Sequence, residues 1–177
     1  YTGPGATATA VVITPKLLSG FPGQTTTFAA QALGPTGQPM PGTPIAFTSS
    51  NDAVVTIDAA TGAATLRGRG TAKVYALLLT GPADSAVVTV TLPASQLQLA
   101  NGGGQTGPVG STLAVPVVAR VLASDGVGVS GVTVNFAASD GGTITPASAV
   151  STADGSVSTQ WKVGPTAGAQ TLTMTSA

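Results

Sequence analysis

The sequence predicts an all-β protein: two antiparallel β-sandwiches in tandem, the second lacking its last strand. Three observations carry this expectation. The first is a repeat: residues 42–51 (GTPIAFTSSN) return as residues 131–140 (GVTVNFAASD), 89 positions later, so that Phe47 falls on Phe136. A repeat at that period divides the 177 residues into modules 1–92 and 93–177. The second is the rhythm of the chain, in which short apolar/polar alternations stand between Gly, Pro, Asn and Asp clusters. The third is a shortfall. With Gly168 aligned on Gly70, an offset of 98, Ala177 corresponds to Leu79, and residues 80–92 have no counterpart.

The elements of the first module follow in order. Val11–Thr14 is a strand stopped by Pro15, and residues 20–23 (GFPG) are a turn. Thr25–Ala32 alternates, with Phe28, Ala30 and Ala32 on one face. Residues 34–42, rich in Pro and Gly, are a loop. Ile45 and Phe47 mark a third strand, Val54–Ile57 a fourth and Ala63–Arg67 a fifth. Thr71–Leu79 is the sixth, with Val74, Ala76 and Leu78 on one face, and Ser85–Leu92 is the seventh. Seven short strands with turn signals between them describe a sandwich. Residues 92–95 (LPAS) are too short and too proline-restricted for a flexible linker, so a fairly stiff rod is expected.

The second module restarts at Gln96–Ala100. Residues 101–104 (NGGG) are either a mobile loop or a bulge where backbone approaches closely. Gly110-Ser111-Thr112 mirrors Gly23-Gln24-Thr25. Leu113, Val115, Val117, Ala119 and Val121 share one face of a run that Pro116 restricts to a strand edge or bulge. Val132, Val134 and Phe136 form the next strand, followed by residues 142–145. In residues 156–163, Val157, Thr159, Trp161 and Val163 face one way, and Trp161 is expected in the core. Leu172 and Met174 then match Val74 and Ala76. A sandwich without the following strand leaves an edge and part of a core uncovered. That strand lies in residues beyond Ala177, the favoured reading, or comes from another chain by strand addition.

Composition excludes several functions. Charged residues make up 7% of the chain, against about 25% in ordinary domains. Six Lys and Arg balance six Asp, and Glu, His and Cys are absent. There is no basic footprint for nucleic acid or anionic lipid, no disulfide framework and no thiolate metal site. No apolar run approaches the ~20 residues of a membrane-spanning helix, so membrane contact is expected only through a partner. The chain begins at Tyr1 without a signal peptide, either because a leader was removed or because it is part of something longer. Proton-transfer groups are few and no nucleophile or phosphate-loop motif is present, so neither enzymatic activity nor a cofactor is expected.

Asp125, Asp140 and Asp154 each precede Gly, and Asp58 stands four residues before Gly62. Carboxylates so placed could hold calcium between sandwiches, but Asp-Gly is also the ordinary turn pair, and turn chemistry is the expectation. Candidate interaction residues are Tyr1 on a terminal arm, Arg67 and Arg69 flanking Gly68, and Leu172 and Met174 on the strand lacking a neighbour.

These residues resemble the bacterial Ig-like domains. The first module is similar to the group-2 type through residues 12–15 (VITP), 23–25 (GQT), 47–51 (FTSSN), 54–58 (VVTID), Thr61-Gly62 and 70–72 (GTA), although Phe47 stands where that type usually has Trp. The second resembles the group-1, invasin-like type through residues 131–136 (GVTVNF), 152–155 (TADG), Trp161 and Ala167-Gly168. The resemblance implies an exported cell-envelope protein, periplasmic or at the cell surface, that works by protein–protein contact. Low charge, positive hydropathy and the unfinished second module favour an accessory subunit of a larger assembly. A stalk of a surface adhesin or fibre is the alternative. A carbohydrate-binding module is weaker, because it needs grouped exposed aromatics and the chain has one Trp, two Tyr and four Phe.

Overall fold

The computed structural model describes residue 3 and residues 5–176, all of them strand, turn or loop with no helix. The chain divides into two compact units, Tyr1–Leu92 and Pro93–Ala177.

The first unit holds β1 (Ala10–Thr14), β2 (Leu17–Gly20), β3 (Thr25–Thr27), β4 (Ala29–Leu33), β5 (Ile45–Ser49), β6 (Val55–Ile57), β7 (Ala63–Leu66), β8 (Gly70–Leu78) and β9 (Ala83–Val90). One layer consists of β1-β4 and β3-β7-β6, with β4 continuing β3 past Phe28. The other has the order β2-β9-β8-β5. Alternation places Val74, Ala76, Ala86 and Val88 inward at 0% exposure, facing Ile13 and Phe28 of the opposite layer. Every sequence-predicted strand is present, and β2 is an addition. It is four residues long, begins with an exposed Leu17 and lacks alternation, so no periodic signal marked it. It is also an exception to the antiparallel expectation. After Pro15 the chain crosses to the second layer, and β2 runs parallel to β9 from Leu17↔Val87 to Gly20↔Val90.

The second unit holds β10 (Ala94–Asn101), β11 (Val117–Ala123), β12 (Thr133–Ala138), β13 (Thr143–Thr145), β14 (Ser148–Val150), β15 (Ser156–Lys162) and β16 (Leu172–Ser176). Its layers are β10-β11-β15-β13 and β14-β12-β16. The run expected from Leu113 to Val121 is broken. Leu113 donates its N–H to the Trp161 carbonyl, the chain bends at Ala114-Val115, and the strand starts at Val117, one residue after Pro116. Of the two readings of residues 101–104, close approach is the one observed. The ladder shifts register between Leu99 and Asn101, and a Cβ on Gly102 would lie 2.4 Å from the Pro116 carbonyl oxygen. The short β14 is a second addition, paired with Thr133–Asn135.

The two units share their pairing registers. Phe47↔Ala76 in the first corresponds to Phe136↔Met174 in the second, and Ser49↔Val74 to Ala138↔Leu172. Val11↔Ala32 and Ile13↔Ala30 likewise correspond to Leu97↔Val121 and Leu99↔Ala119. Equivalent positions can therefore be compared residue by residue.

Candidate functional site

The comparison exposes one large difference. In the first unit β8 is flanked by β5 and β9. In the second, β16 pairs with β12 alone, and no strand among the described residues covers its other edge. The Ser139 N–H donates to the Thr171 carbonyl, which sets the phase of the β12–β16 ladder. Residues 171, 173 and 175 thus point their backbone groups at β12, and Leu172, Met174 and Ser176 point theirs at the open edge.

The side chains register the same gap. In the first unit β1 packs across the sandwich on β9, and Ile13 is 0% exposed. Its counterpart Leu99 is 50% exposed, and no strand among the described residues stands where β9 would. Val74 and Ala76 are fully buried, whereas Leu172 and Met174 are half-buried. Among the described residues seventeen apolar side chains are buried in the first unit and nine in the second, so the second sandwich is the less closed.

Beside the open edge lies a cleft of about 440 Å³. One wall is Gly104–Gly107, and the other is formed by residues 166–170. Aligned through Gly23 and Gly110, Gly104–Gly107 is the counterpart of β2. The Gly110 N–H donates to the Gly164 carbonyl as the Gly23 N–H does to that of Leu66. The wall has no ladder to hold it, and a glutamine takes that role. Gln105 Nε2 donates to the carbonyls of Gly102 (2.9 Å) and Val115 (2.8 Å), and its Oε1 accepts from the Val115 N–H (3.0 Å). Opposite, Gln170 Oε1 accepts from the Gly164 N–H (2.7 Å) and its Nε2 donates to the Thr166 carbonyl (2.8 Å). Trp161 lines the cleft and is half-buried, not enclosed in the core as expected. Its indole N–H is buried beside Gly142 with no acceptor among the described residues.

Two of the remaining candidates belong to the first unit. Arg67 and Arg69 sit between β7 and β8 of the first unit. Arg67 Nε donates to Thr56 Oγ1 (3.3 Å), which ties it to the β6–β7 hairpin. Tyr1 lies outside the described residues.

The aspartates are engaged in turns. Asp58 accepts from the N–H groups of Ala60 and Thr61 and from the Thr61 hydroxyl, and these bonds, the hydroxyl foremost, hold its carboxyl below the usual range. Asp154 is held lower still by the hydroxyls of Thr152 and Ser156 and the Ser156 N–H. Asp84 differs: burial pushes its carboxyl up, but Lys16 and the N–H groups of Ile13 and Ser85 outweigh this and lower it. Its Oδ2 accepts from Lys16 Nζ and, at 2.9 Å, from the Ile13 N–H, clamping the β1–β2 crossing onto β9.

No family model matches the chain, and no curated protein matches it. Solved structures do. The chain is similar to FdeC, an Escherichia coli adhesin, at a TM-score of 0.56 and 16% identity, over 93% of this chain and 58% of that one. The fold is that of tandem Ig-like β-sandwiches. Weaker likenesses are to domains 4–9 of the surface layer protein SbsC (TM-score 0.43, 18% identity, 86% of this chain) and to the D00-D0 domain of intimin (0.47, 12%, 94% of this chain and 92% of that one). The chain spans about a quarter (24%) of the SbsC structure.

Proposed function

We propose that the chain is a non-catalytic structural module of the bacterial cell envelope that acts through protein–protein contact, as an accessory subunit seated on a larger assembly at its periplasmic or extracellular face. The observation that supports this reading most is the scarcity of charge, 7% of the residues with six Lys and Arg balancing six Asp. The low charge of the chain agrees with a surface that is partly covered, since a module kept apart in solvent is better served by charge. In this reading the first unit is of the group-2 Ig-like type and the second of the invasin-like type.

The second reading, a stalk or spacer of an adhesin, is favoured by the likeness to FdeC. Amide exchange separates the two. The subunit reading expects a continuous patch of surface amides of the first unit to exchange freely in the purified chain and slowly in the envelope fraction that carries it. Equal exchange in both preparations overturns the subunit reading in favour of the stalk.

A further inference from the structure

We propose that Asn101 is a site of spontaneous backbone modification in the folded chain: the Gly102 nitrogen displaces its side-chain ammonia, and water then leaves aspartate or isoaspartate at position 101.

Asn101 closes β10 and belongs to the only Asn-Gly pair in the sequence. The strand bulges as it nears Pro116, so that Leu99 pairs with Ala119 but Asn101 with Val118. Val118 lies between the buried Val117 and Ala119 and faces outward. Asn101 opposite it is therefore exposed on the outer face of the sheet, not on the core side with Leu99. Gly102 follows with φ +82°. A Cβ there would lie 2.4 Å from the Pro116 carbonyl oxygen and 2.8 Å from Val117 Cα, so packing demands glycine immediately after Asn101. Glycine also presents the least bulk around an attacking nitrogen.

The Gly102 N–H donates to Asn101 Oδ1 at 2.9 Å. The nitrogen thus stands beside the carboxamide, whose carbon is one bond from that oxygen. Its proton is engaged by the reacting side chain itself, not by a ladder carbonyl. When the nitrogen gives up that proton it attacks Cγ. The N–Cγ bond forms, the Cγ–Nδ2 bond breaks, and ammonia leaves with the proton, closing a five-membered imide. Water opens the imide at the side-chain carbonyl to give aspartate, or at the backbone carbonyl to give isoaspartate. Either product adds one negative charge to a chain whose formal net charge is zero.

The other asparagines are held back. Asn51 Oδ1 accepts from the Ala53 N–H (3.0 Å), and a side chain follows it, that of Asp52. Asn135 lies inside β12, paired with Ser148 on one side and Thr175 on the other, and the next N–H, of Phe136, donates to the Ala147 carbonyl (2.8 Å). The Asp-Gly turns are blocked in the same way. Gly126 and Gly155 give their N–H groups to the carbonyls of Ala123 (3.0 Å) and Thr152 (2.9 Å). Asp140 offers a carboxylate, a far poorer electrophile than a carboxamide.

The full chain, native and in urea, is incubated at mild alkaline pH and followed by peptide mass spectrometry, with isoaspartate counted by enzymatic methylation. The native chain is expected to gain about 1 Da in the peptide that holds Asn101, with Asn51 and Asn135 unchanged. Its rate should fall within about threefold of the rate in urea, because the reacting N–H breaks no ladder bond. The rate should also rise about tenfold per pH unit with the abundance of the amide anion. Asn101→Gln should lose the reaction, since its longer side chain would have to close a six-membered ring. A native chain that stays unmodified at Asn101, whatever the unfolded chain does, would overturn the proposal. So would an equal gain at Asn51 or Asn135, or a gain that persists in Asn101→Gln.

Discussion

Asp84 has the most consequential polar side chain of the first unit, because one carboxylate oxygen accepts from both the Ile13 N–H and Lys16. Asp84→Asn is expected to destabilise that unit by about 1 kcal/mol in urea denaturation, the usual scale for a charge-assisted bond near the surface. The pH dependence has a definite sign. The folded carboxyl is lowered, so its contribution is complete above the unfolded value of about 4 and is lost as pH falls through the lower folded value. The stability gap between Asp84 and Asn should therefore close in acid, and a gap that persisted at pH 2 would rule out the linkage. Gly62 is the other sensitive residue. It has φ +72°, and a Cβ there would lie 2.2 Å from the Phe28 carbonyl oxygen and 3.2 Å from the Phe47 ring. Gly62→Ala combines backbone strain with a clash in the core and should cost about 3 kcal/mol by the same measurement.

At the scale of elements, equivalent positions on β1 and β10 measure what β9 contributes. Ile13 lies under β9 at 0% exposure, and Leu99 is 50% exposed. Ile13→Ala is expected to cost about 3–4 kcal/mol and Leu99→Ala about 1 kcal/mol, since deleting a half-exposed side chain leaves little cavity. Urea denaturation of each variant checks the contrast, with the second unit followed through Trp161. Equal costs would mean that Leu99 is covered in solution. Much of this level was legible in the residues. Alternation disclosed β8 and β15, and the recurrence of Phe47 at Phe136 disclosed the shared central strand. β2 and β14 were not legible: residues 17–20 (LLSG) show no apolar/polar alternation, and the pairing of both strands depends on where the neighbouring strand ends.

At the scale of the whole molecule, two compact units with unequal cores should not unfold together. The transition reported by Trp161 is expected at lower urea than the remaining transition seen by far-UV circular dichroism. Coincident transitions would show that the two units are energetically coupled.

By itself the sequence determined the sandwich class and the repeat, because both are written in local alternation and in recurrence along the chain. Only the tertiary structure decided how the second unit is arranged around Trp161. It showed Gly104–Gly107 standing as a wall without a ladder, Gln105 and Gln170 holding the two sides of a cleft, Trp161 lining it and Leu99 uncovered on the opposite sheet. These residues are distant in the chain and share no period. They meet because two layers fold over one another, and long-range packing of that kind leaves no mark in a local pattern.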